Sequence, residues 1–290
     1  MNRPKSQAQK IAHTIDRWFS KSGVATRSEA ARMIKEGRVS VNGRPVSSPD
    51  VTLSAPPGEL PAILLDGKPF SSSPFLVLAM NKPRGILVGQ DPARRERELD
   101  RLIEKSRWGQ ESGFEGKLSP VGRLDMASSG LILLTTRPGI LSALLDPAME
   151  IPKTYRVQVR PALKEKDLEI LRRGDAGRPW GFMAPTVEVT RNNERTTWLE
   201  ITLCEGKNRE IRKILSSLGY TVLHLIRIRF GDLCLGEEGM RQIGGLWDVT
   251  SHFVGGEGFV LDIILDRIKR GDIMGVKEAG DLPKGGGQMS

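Results

Sequence analysis

Apolar residues recur along this chain with two different periods, and each change of period marks an element. From Thr14, Ile15, Trp18 and Phe19 fall on one helical face, with Thr14 placed to cap the helix and Gly23 to stop it. Thr26-Arg27-Ser28-Glu29 has the spacing of a capping box. The helix it opens sets Ala30, Met33 and Ile34 on one side and ends at Gly37. Period two follows in Val39 and Val41, then the turn pair Asn42-Gly43 and Val46, which predicts a β-hairpin. Residues 1–12 are polar and basic and are expected to be a flexible tail. Residues 47–62, rich in Ser and Pro, look like a linker at the end of this small unit, and Asp66-Gly67 marks a further hairpin-like turn.

Longer apolar runs follow. Phe75 to Met80 reads as a buried strand broken by Lys82-Pro83-Arg84-Gly85, and Ile132 to Leu134 as another after the turn Ser128-Ser129-Gly130. Tyr155 to Val159 and Trp198 to Leu203 alternate as strands, while the charged stretch 91–118 predicts a helix and an exposed loop. Asn208 is placed to cap a helix carrying Ile211, Ile214, Leu215 and Leu218, stopped by Gly219. Its opposite stripe is Arg209, Arg212, Lys213 and Ser216. Val222 to Phe230 is one more strand, with Arg227 and Arg229 alternating with Ile226, Ile228 and Phe230. Many strands and few helices, in no βαβ order, predict an α+β domain with a mixed, largely antiparallel sheet. The expected organisation is a tail (1–12), a small α+β unit (13–62), a linker (63–74), a large domain (75–250) and a partly disordered extension (251–290) with a possible helix at Val260 to Ile268.

Charge sharpens this picture. The chain has 290 residues, 44 Lys and Arg against 35 Asp and Glu, and a net charge of +9. The excess is concentrated: residues 1–50 hold ten basic and four acidic side chains, and Glu205 to Phe230 six and two. Two basic patches favour a polyanionic partner through counterion release. Cys204 and Cys234 read as buried free thiols of a reducing compartment, and His13, His224 and His252 lack metal-ligand spacing. No apolar run approaches the ~20 residues of a membrane span. The N-terminus has no signal-peptide core, so a cytoplasmic protein is expected; the basic start is also compatible with an organellar leader.

Four stretches, in this order, carry a family resemblance. They are the helix–helix–hairpin with Gly23-Val24-Ala25, Glu36-Gly37 and Val41-Asn42-Gly43; Gly122-Arg123-Leu124-Asp125 running on through Ser128-Ser129-Gly130 to Thr135; Lys153-Thr154-Tyr155-Arg156-Val157; and Glu205-Gly206-Lys207-Asn208-Arg209-Glu210-Ile211-Arg212 with Leu218-Gly219. The first resembles an S4 RNA-binding domain. The other three resemble the catalytic domain of bacterial ribosomal pseudouridine synthases, of the branch acting on small- or large-subunit rRNA. Ser128 stands where that family usually has Thr, which preserves a small hydroxyl.

The resemblance implies isomerisation of uridine to pseudouridine in ribosomal RNA, with no cofactor and no metal. It implies that Asp125 is the catalytic carboxylate, attacking C1′ as a nucleophile or removing the 2′ proton as a base. By the same resemblance Arg212 is its basic partner, Tyr155 lies against the uracil ring, Leu223 packs over the pocket, and Arg123 and Lys82 face the substrate. Arg209, Lys213, Arg227 and Arg229 are candidates for phosphate contacts beside the site, and Arg27, Arg32, Lys35 and Arg38 for RNA contacts of the S4-like unit. The partner would be ribosomal RNA or a partly assembled ribosomal subunit, not a membrane, and the protein a monomer. Two other readings fit the residues: a catalytically silent RNA-binding assembly factor, and a hydrolase using Asp125 with a metal.

Overall fold

The computed structural model describes residues 11–22, 24–55, 61–70, 75–89, 98–114, 117–137, 141, 144–236 and 242–253. The expected stop at Gly23 and the possible helix at Val260 to Ile268 lie outside these residues.

The N-terminal unit runs β1 (Ile11–Thr14), α1 (Ile15–Lys21), α2 (Arg27–Lys35), β2 (Val39–Val41), β3 (Arg44–Pro45), β4 (Thr52–Ala55), β5 (Ile63–Leu65) and β6 (Lys68–Pro69). The capping box forms as expected. The Thr26 side chain accepts from the Glu29 backbone, and Glu29 reaches back to the Thr26 backbone. Asn42 and Gly43 take the positive φ values of 50° and 75° that a tight hairpin turn demands. Ile15, Trp18, Phe19, Ala30, Ile34, Val39 and Ile63 close a small core.

The structure revises four details. Thr14 precedes α1, but its hydroxyl donates to the Asp16 carboxylate instead of capping the backbone. Order reaches back into the expected tail, because Ile11–Thr14 pairs antiparallel with Thr52–Ala55. That second strand lies in the segment expected to be a linker. The expected linker 63–74 contributes β5, which pairs with β2, and β6, joined through Asp66-Gly67. A core this small needs Ile63 as a wall, so the sheet recruits residues that composition alone marks as connecting chain.

The second unit contains β7 (Val77–Lys82), α3 (Leu99–Lys105), α4 (Arg107–Glu111), β8 (Ser119–Pro120), β9 (Ser129–Thr135), β10 (Lys153–Arg160), α5 (Glu165–Arg172), β11 (Thr186–Asn192), β12 (Thr197–Leu203), α6 (Glu210–Ser217), β13 (Thr221–Phe230), β14 (Leu233–Cys234) and β15 (Leu246–Asp248). One sheet runs β11-β12-β10-β13-β9-β7-β15, with β14 paired to β13 and β8 to β9. Its pairings among the described residues are antiparallel except β13 with β9. β7 and β9 carry unbroken apolar runs, Val77–Met80 and Leu131–Leu134, because both faces are covered. Val77, Ala79, Leu131 and Leu133 pack into one cluster, and Leu78, Met80, Ile132 and Leu134 into another. Around β10, β12 and β11, Val157, Leu199 and Ile201 pack against Leu168 and Leu171 of α5 and Ile211, Ile214 and Leu215 of α6. α5 has no side-chain cap at its start to announce it in the sequence, and β11 is an edge strand that buries Val187 alone.

The two units meet through polar contacts. The Lys117 ammonium lies 2.7 Å from a Glu29 oxygen, and the Arg137 guanidinium, almost wholly buried, donates to the Ser22 carbonyl at 2.6 Å. Burial alone would raise the Glu29 carboxyl; the hydrogen bonds from Lys117 and Thr26 outweigh it and hold it down at about 2.

The parallel β9–β13 contact needs a glycine. Gly130 sits at φ +103° opposite Arg227, and a Cβ there would lie 2.3 Å from the Arg227 carbonyl oxygen. Gly130→Ala is therefore predicted to cost ~3 kcal/mol or more, through backbone strain and a forced separation of the two strands. The measurement is the denaturant midpoint at unchanged slope; a midpoint equal to that of the parent would refute the constraint.

Candidate active site

The loop between β8 and β9 carries Asp125. Leu124 is buried and anchors the loop in the core, which turns the next side chain outward. The Ser128 N–H closes a turn onto the Asp125 carbonyl at 2.9 Å, and the Gly85 N–H holds the Met126 carbonyl at 2.7 Å. The Asp125 side chain keeps 33% of its surface exposed, so it is presented at a rim rather than entombed.

Two arginines of the next polar segment converge on it. Arg209 Nη1 lies 3.4 Å, and Arg212 Nε 3.8 Å, from the same Asp125 oxygen. Arg212 is fixed from behind: it donates to the Val222 and Ala127 carbonyls and to the Ser128 hydroxyl. Its side chain is only 14% exposed. Burial lowers the pKa of the Arg212 guanidinium, Arg209 and Arg84 add to this, and Asp125 opposes it. The expected cap Asn208 gives way to Arg209, which takes a left-handed conformation at φ 53° as the residue preceding α6. That turn aims Arg209 at Asp125, and no periodic pattern would reveal it.

Beneath the carboxylate lies Lys82, fully buried. Its ammonium donates to the carbonyls of Pro83 and Ile86 at 3.0 and 2.9 Å. Lys82 was expected to face the substrate; it is instead a strut under the loop, because both carbonyls of its own turn need a donor. Burial lowers its ammonium to about 8, with Asp125 opposing and Arg227 assisting.

The two strand arginines separate. Tyr155 pairs with Arg227 and Thr154 with Arg229, so one step on β10 spans two on β13 and Ile228 is a bulge. Arg227 and Arg229, which would share a face in a regular strand, therefore point to opposite faces. Arg227 is buried, donates to the Leu131 carbonyl at 2.6 Å and lies over the Phe230 ring. That corrects its expected phosphate contact: its guanidinium is committed inside the sheet. Arg229 is exposed on the other face, beside the Thr154–Thr202 hydroxyl pair. Tyr155 is half-buried on the Arg227 face, packed on both the cluster containing Leu124 and the cluster of α5 and α6.

Around the rim, Leu223 is half-buried and its carbonyl accepts from Arg84 at 3.3 Å. Arg84, in the Lys82-Pro83-Arg84-Gly85 turn, comes beside Arg212 because β13 packs against that turn, and nothing in its local sequence marks it. Arg123 is exposed. Lys213 lies 5.8 Å from the centre of the Phe182 ring. In the N-terminal unit Arg27 pairs with Asp16, Arg32 with Glu36 and Arg38 with Asp66, while Lys35 stands exposed on the same helix as Arg27 and Arg32. Cys204 and Cys234, expected to be buried, are half-buried and not bridged to each other.

Comparison with known proteins decides what this constellation belongs to. The family model for RNA pseudouridylate synthase matches residues 76–217, and that for the S4 domain residues 14–58. An RNA pseudouridine synthase of Aquifex aeolicus is 31% identical over 226 residues, covering 77% of this chain and 86% of the relative. The ribosomal large subunit pseudouridine synthase B of Salmonella typhi is 30% identical, covering 78% and 76%. The chain belongs to the RNA pseudouridine synthase family. A crystal structure of a pseudouridylate synthase has the same fold, with a TM-score of 0.52 at 20% identity over 82% of this chain and 96% of the other.

In this pseudouridine synthase, the segment that delivers Arg209 and Arg212 rests on a pair of glutamates. Glu205 accepts from the Met183 N–H at 2.6 Å and pairs with Lys207 at 2.8 Å. Glu210, buried at the start of α6, accepts from the Lys207 N–H at 3.3 Å. Burial raises the Glu210 carboxyl to about 8, and the hydrogen bond and charge of Glu205 add to it. Glu205 is also pushed up by burial, but its hydrogen bonds, led by that from Lys207, outweigh this and hold it low. The folded state thus binds a proton at Glu210 that the unfolded chain has released, so stability falls as pH rises from the ordinary glutamate range to about 8. Glu210→Gln keeps the shape without that proton. Its gain over the parent is predicted to grow from near zero at pH 4.5 to ~1–3 kcal/mol at pH 8 and then level off. Thermal melts across this range test it; parallel curves for the two proteins would show that Glu210 does not titrate as described.

Proposed function

We propose that this enzyme isomerises a uridine of ribosomal RNA to pseudouridine, with Asp125 as the catalytic carboxylate. The observation that carries the assignment of Asp125 is its setting: a partly exposed carboxylate on a core-anchored loop, with Arg209 and Arg212 aimed at one of its oxygens. Ribosomal RNA as substrate rests on what the relatives are named for, and on an S4 domain in front of the catalytic one.

The reaction breaks the N1–C1′ bond of uridine and joins C1′ to C5. The C5 proton leaves, N1 gains one, and the product has the atoms of the substrate. Asp125 initiates it, either by attacking C1′ or by removing the 2′ proton. Arg212 fixes the direction of the carboxylate, since its guanidinium is itself held by the Ala127 and Val222 carbonyls and the Ser128 hydroxyl and approaches one carboxylate oxygen from a set side. Tyr155 supports the uracil ring while the base is detached, with Leu223 beside it. A buried uridine must leave its stack to reach this rim, and phosphate contacts from Arg84, Arg123 and Arg209 offset that cost. Arg27, Arg32, Lys35 and Arg38 hold structured RNA at a distance from the chemistry; the exposed pairs Arg32–Glu36 and Arg38–Asp66 exchange readily for phosphates. The protein acts as a monomer in the cytoplasm on free rRNA or a partly assembled subunit; among the described residues no helix is long and apolar enough to cross a membrane.

Incubation with unmodified rRNA, without metal or nucleotide, followed by carbodiimide-dependent primer extension, is the direct test. A new stop is expected with the parent and a loss on the order of 10³-fold or more with Asp125→Asn. Arg212→Lys keeps the charge but loses the fork, and a drop of roughly 10- to 100-fold in kcat is expected. Binding without any stop, on free RNA and on partly assembled subunits alike, would overturn the assignment in favour of a silent assembly factor.

A further inference from the structure

A solvent-facing aromatic stack stands beside the carboxylate-bearing rim, on a turn that the chemistry above does not use. The turn is a tight helical segment, Asp175–Trp180, bounded by Gly174 and Gly181 at positive φ. Trp180 stacks on Phe182 with ring centres 5.6 Å apart and planes 20° apart. Phe182 is half-buried against the core of α5 and α6, so it forms the inner layer of the stack. Trp180 forms the outer layer and leaves 40% of its surface in solvent, and Met183 beside it leaves 49%. Two ammonium groups lie over the inner ring, Lys207 at 5.4 Å and Lys213 at 5.8 Å from its centre.

The stack is also tied to the site. Lys207 donates to the Gly181 carbonyl, and the Met183 N–H donates to Glu205. Both partners belong to the segment that ends in Arg209, the residue in contact with Asp125. Lys213 adjoins Arg212 in α6. A flat apolar face flanked by cations suits a ligand that is itself a flat ring on an anionic backbone. Pro179 in the turn and the Phe182 ring against one face of the indole hold Trp180 in place before binding, so little conformational freedom is lost on contact.

Resting on the reading of this protein as an RNA pseudouridine synthase, we propose that Trp180 and Phe182, with Lys207 and Lys213, form a binding site for an unpaired nucleotide of the substrate RNA next to the target uridine. The base stacks on Trp180 and its phosphate meets the two lysines. This site selects for a target flanked by a base free to unstack, and it holds the strand while the uridine is turned into the site.

The test uses RNA binding as well as turnover, so that it does not depend on activity. In an Asp125→Asn background, Trp180→Ala is expected to weaken binding of an rRNA fragment carrying the target about tenfold, at an unchanged melting temperature, with Trp180→Phe restoring most of it. In the active enzyme the same loss should appear in KM rather than kcat. Fragments with a single abasic ribose at successive positions around the uridine should reveal one at which parent and Trp180→Ala bind equally. Equal binding of parent and Trp180→Ala to the intact fragment would overturn the site, as would a difference that no abasic position removes. A loss seen with ribosomal particles and absent with naked RNA would also overturn it, in favour of a protein contact. Absence of pseudouridine with the parent, with the binding loss intact, would count against the reaction and leave the nucleotide site standing.

Discussion

The centre of the catalytic sheet is held by one short parallel contact, Ile226 and Arg227 of β13 against Ser129 and Gly130 of β9. Everything at the site hangs on it. β9 follows the Asp125 loop, and β13 follows the helix that carries Arg212, so this contact sets the distance between carboxylate and guanidinium. The approach is close enough that only a residue without a Cβ fits at Gly130. It is reinforced from within the sheet by Arg227, whose guanidinium reaches the Leu131 carbonyl. A charged group buried in a sheet costs free energy unless it is used, and here it joins two strands that share few backbone hydrogen bonds.

Charge at the rim is deliberately unbalanced. Arg84, Arg209 and Arg212 gather near a single partly exposed carboxylate, with Lys82 below it. Folding alone gives no reason to concentrate like charges in this way, since Arg209 and Arg84 add to the burial that lowers the pKa of Arg212. On the proposed function, an RNA strand supplies the missing anions, and the cost of the empty site becomes binding energy when phosphates arrive. The glutamate pair at the start of α6 works in the other direction. Burial and Glu205 raise the Glu210 carboxyl to about 8, so the group at the start of α6 holds its proton far more readily than an ordinary glutamate.

Among the described residues, the S4 unit and the catalytic unit touch through ionic and hydrogen-bonded contacts, Lys117 with Glu29 and Arg137 with Ser22, rather than through a shared apolar core. Each unit therefore keeps its own core, and their junction is directional. A cleft of about 200 Å³ remains there, lined by Thr26, Arg27, Lys117 and Ser119 among others. A junction of this kind fixes orientation more than it adds stability, which suits a protein that must hold RNA with one unit and modify it with the other.

Sequence by itself settled what depends on local rules. The capping box at Thr26, the turn at Asn42-Gly43, the buried runs of β7 and β9, and the amphipathic helix from Ile211 to Leu218 are each written in residues a few positions apart, and they formed as read. Motif order gave the family, and with it Asp125 and Arg212 as a pair, which the fold brings together. What periodicity could not supply was any outcome decided by contacts between distant segments. The bulge at Ile228 sends Arg227 into the sheet and Arg229 out of it, because β10 and β9 must both be accommodated. Lys82 is pulled beneath its own turn by two carbonyls, and Ile63 is drawn into a sheet from a stretch that reads as linker. Arg84 joins the site only because β13 returns beside it. A sequence pattern records which side chains prefer to be buried; which of the polar ones are spent inside the fold, and which are left to meet RNA, is fixed by where the strands finally meet.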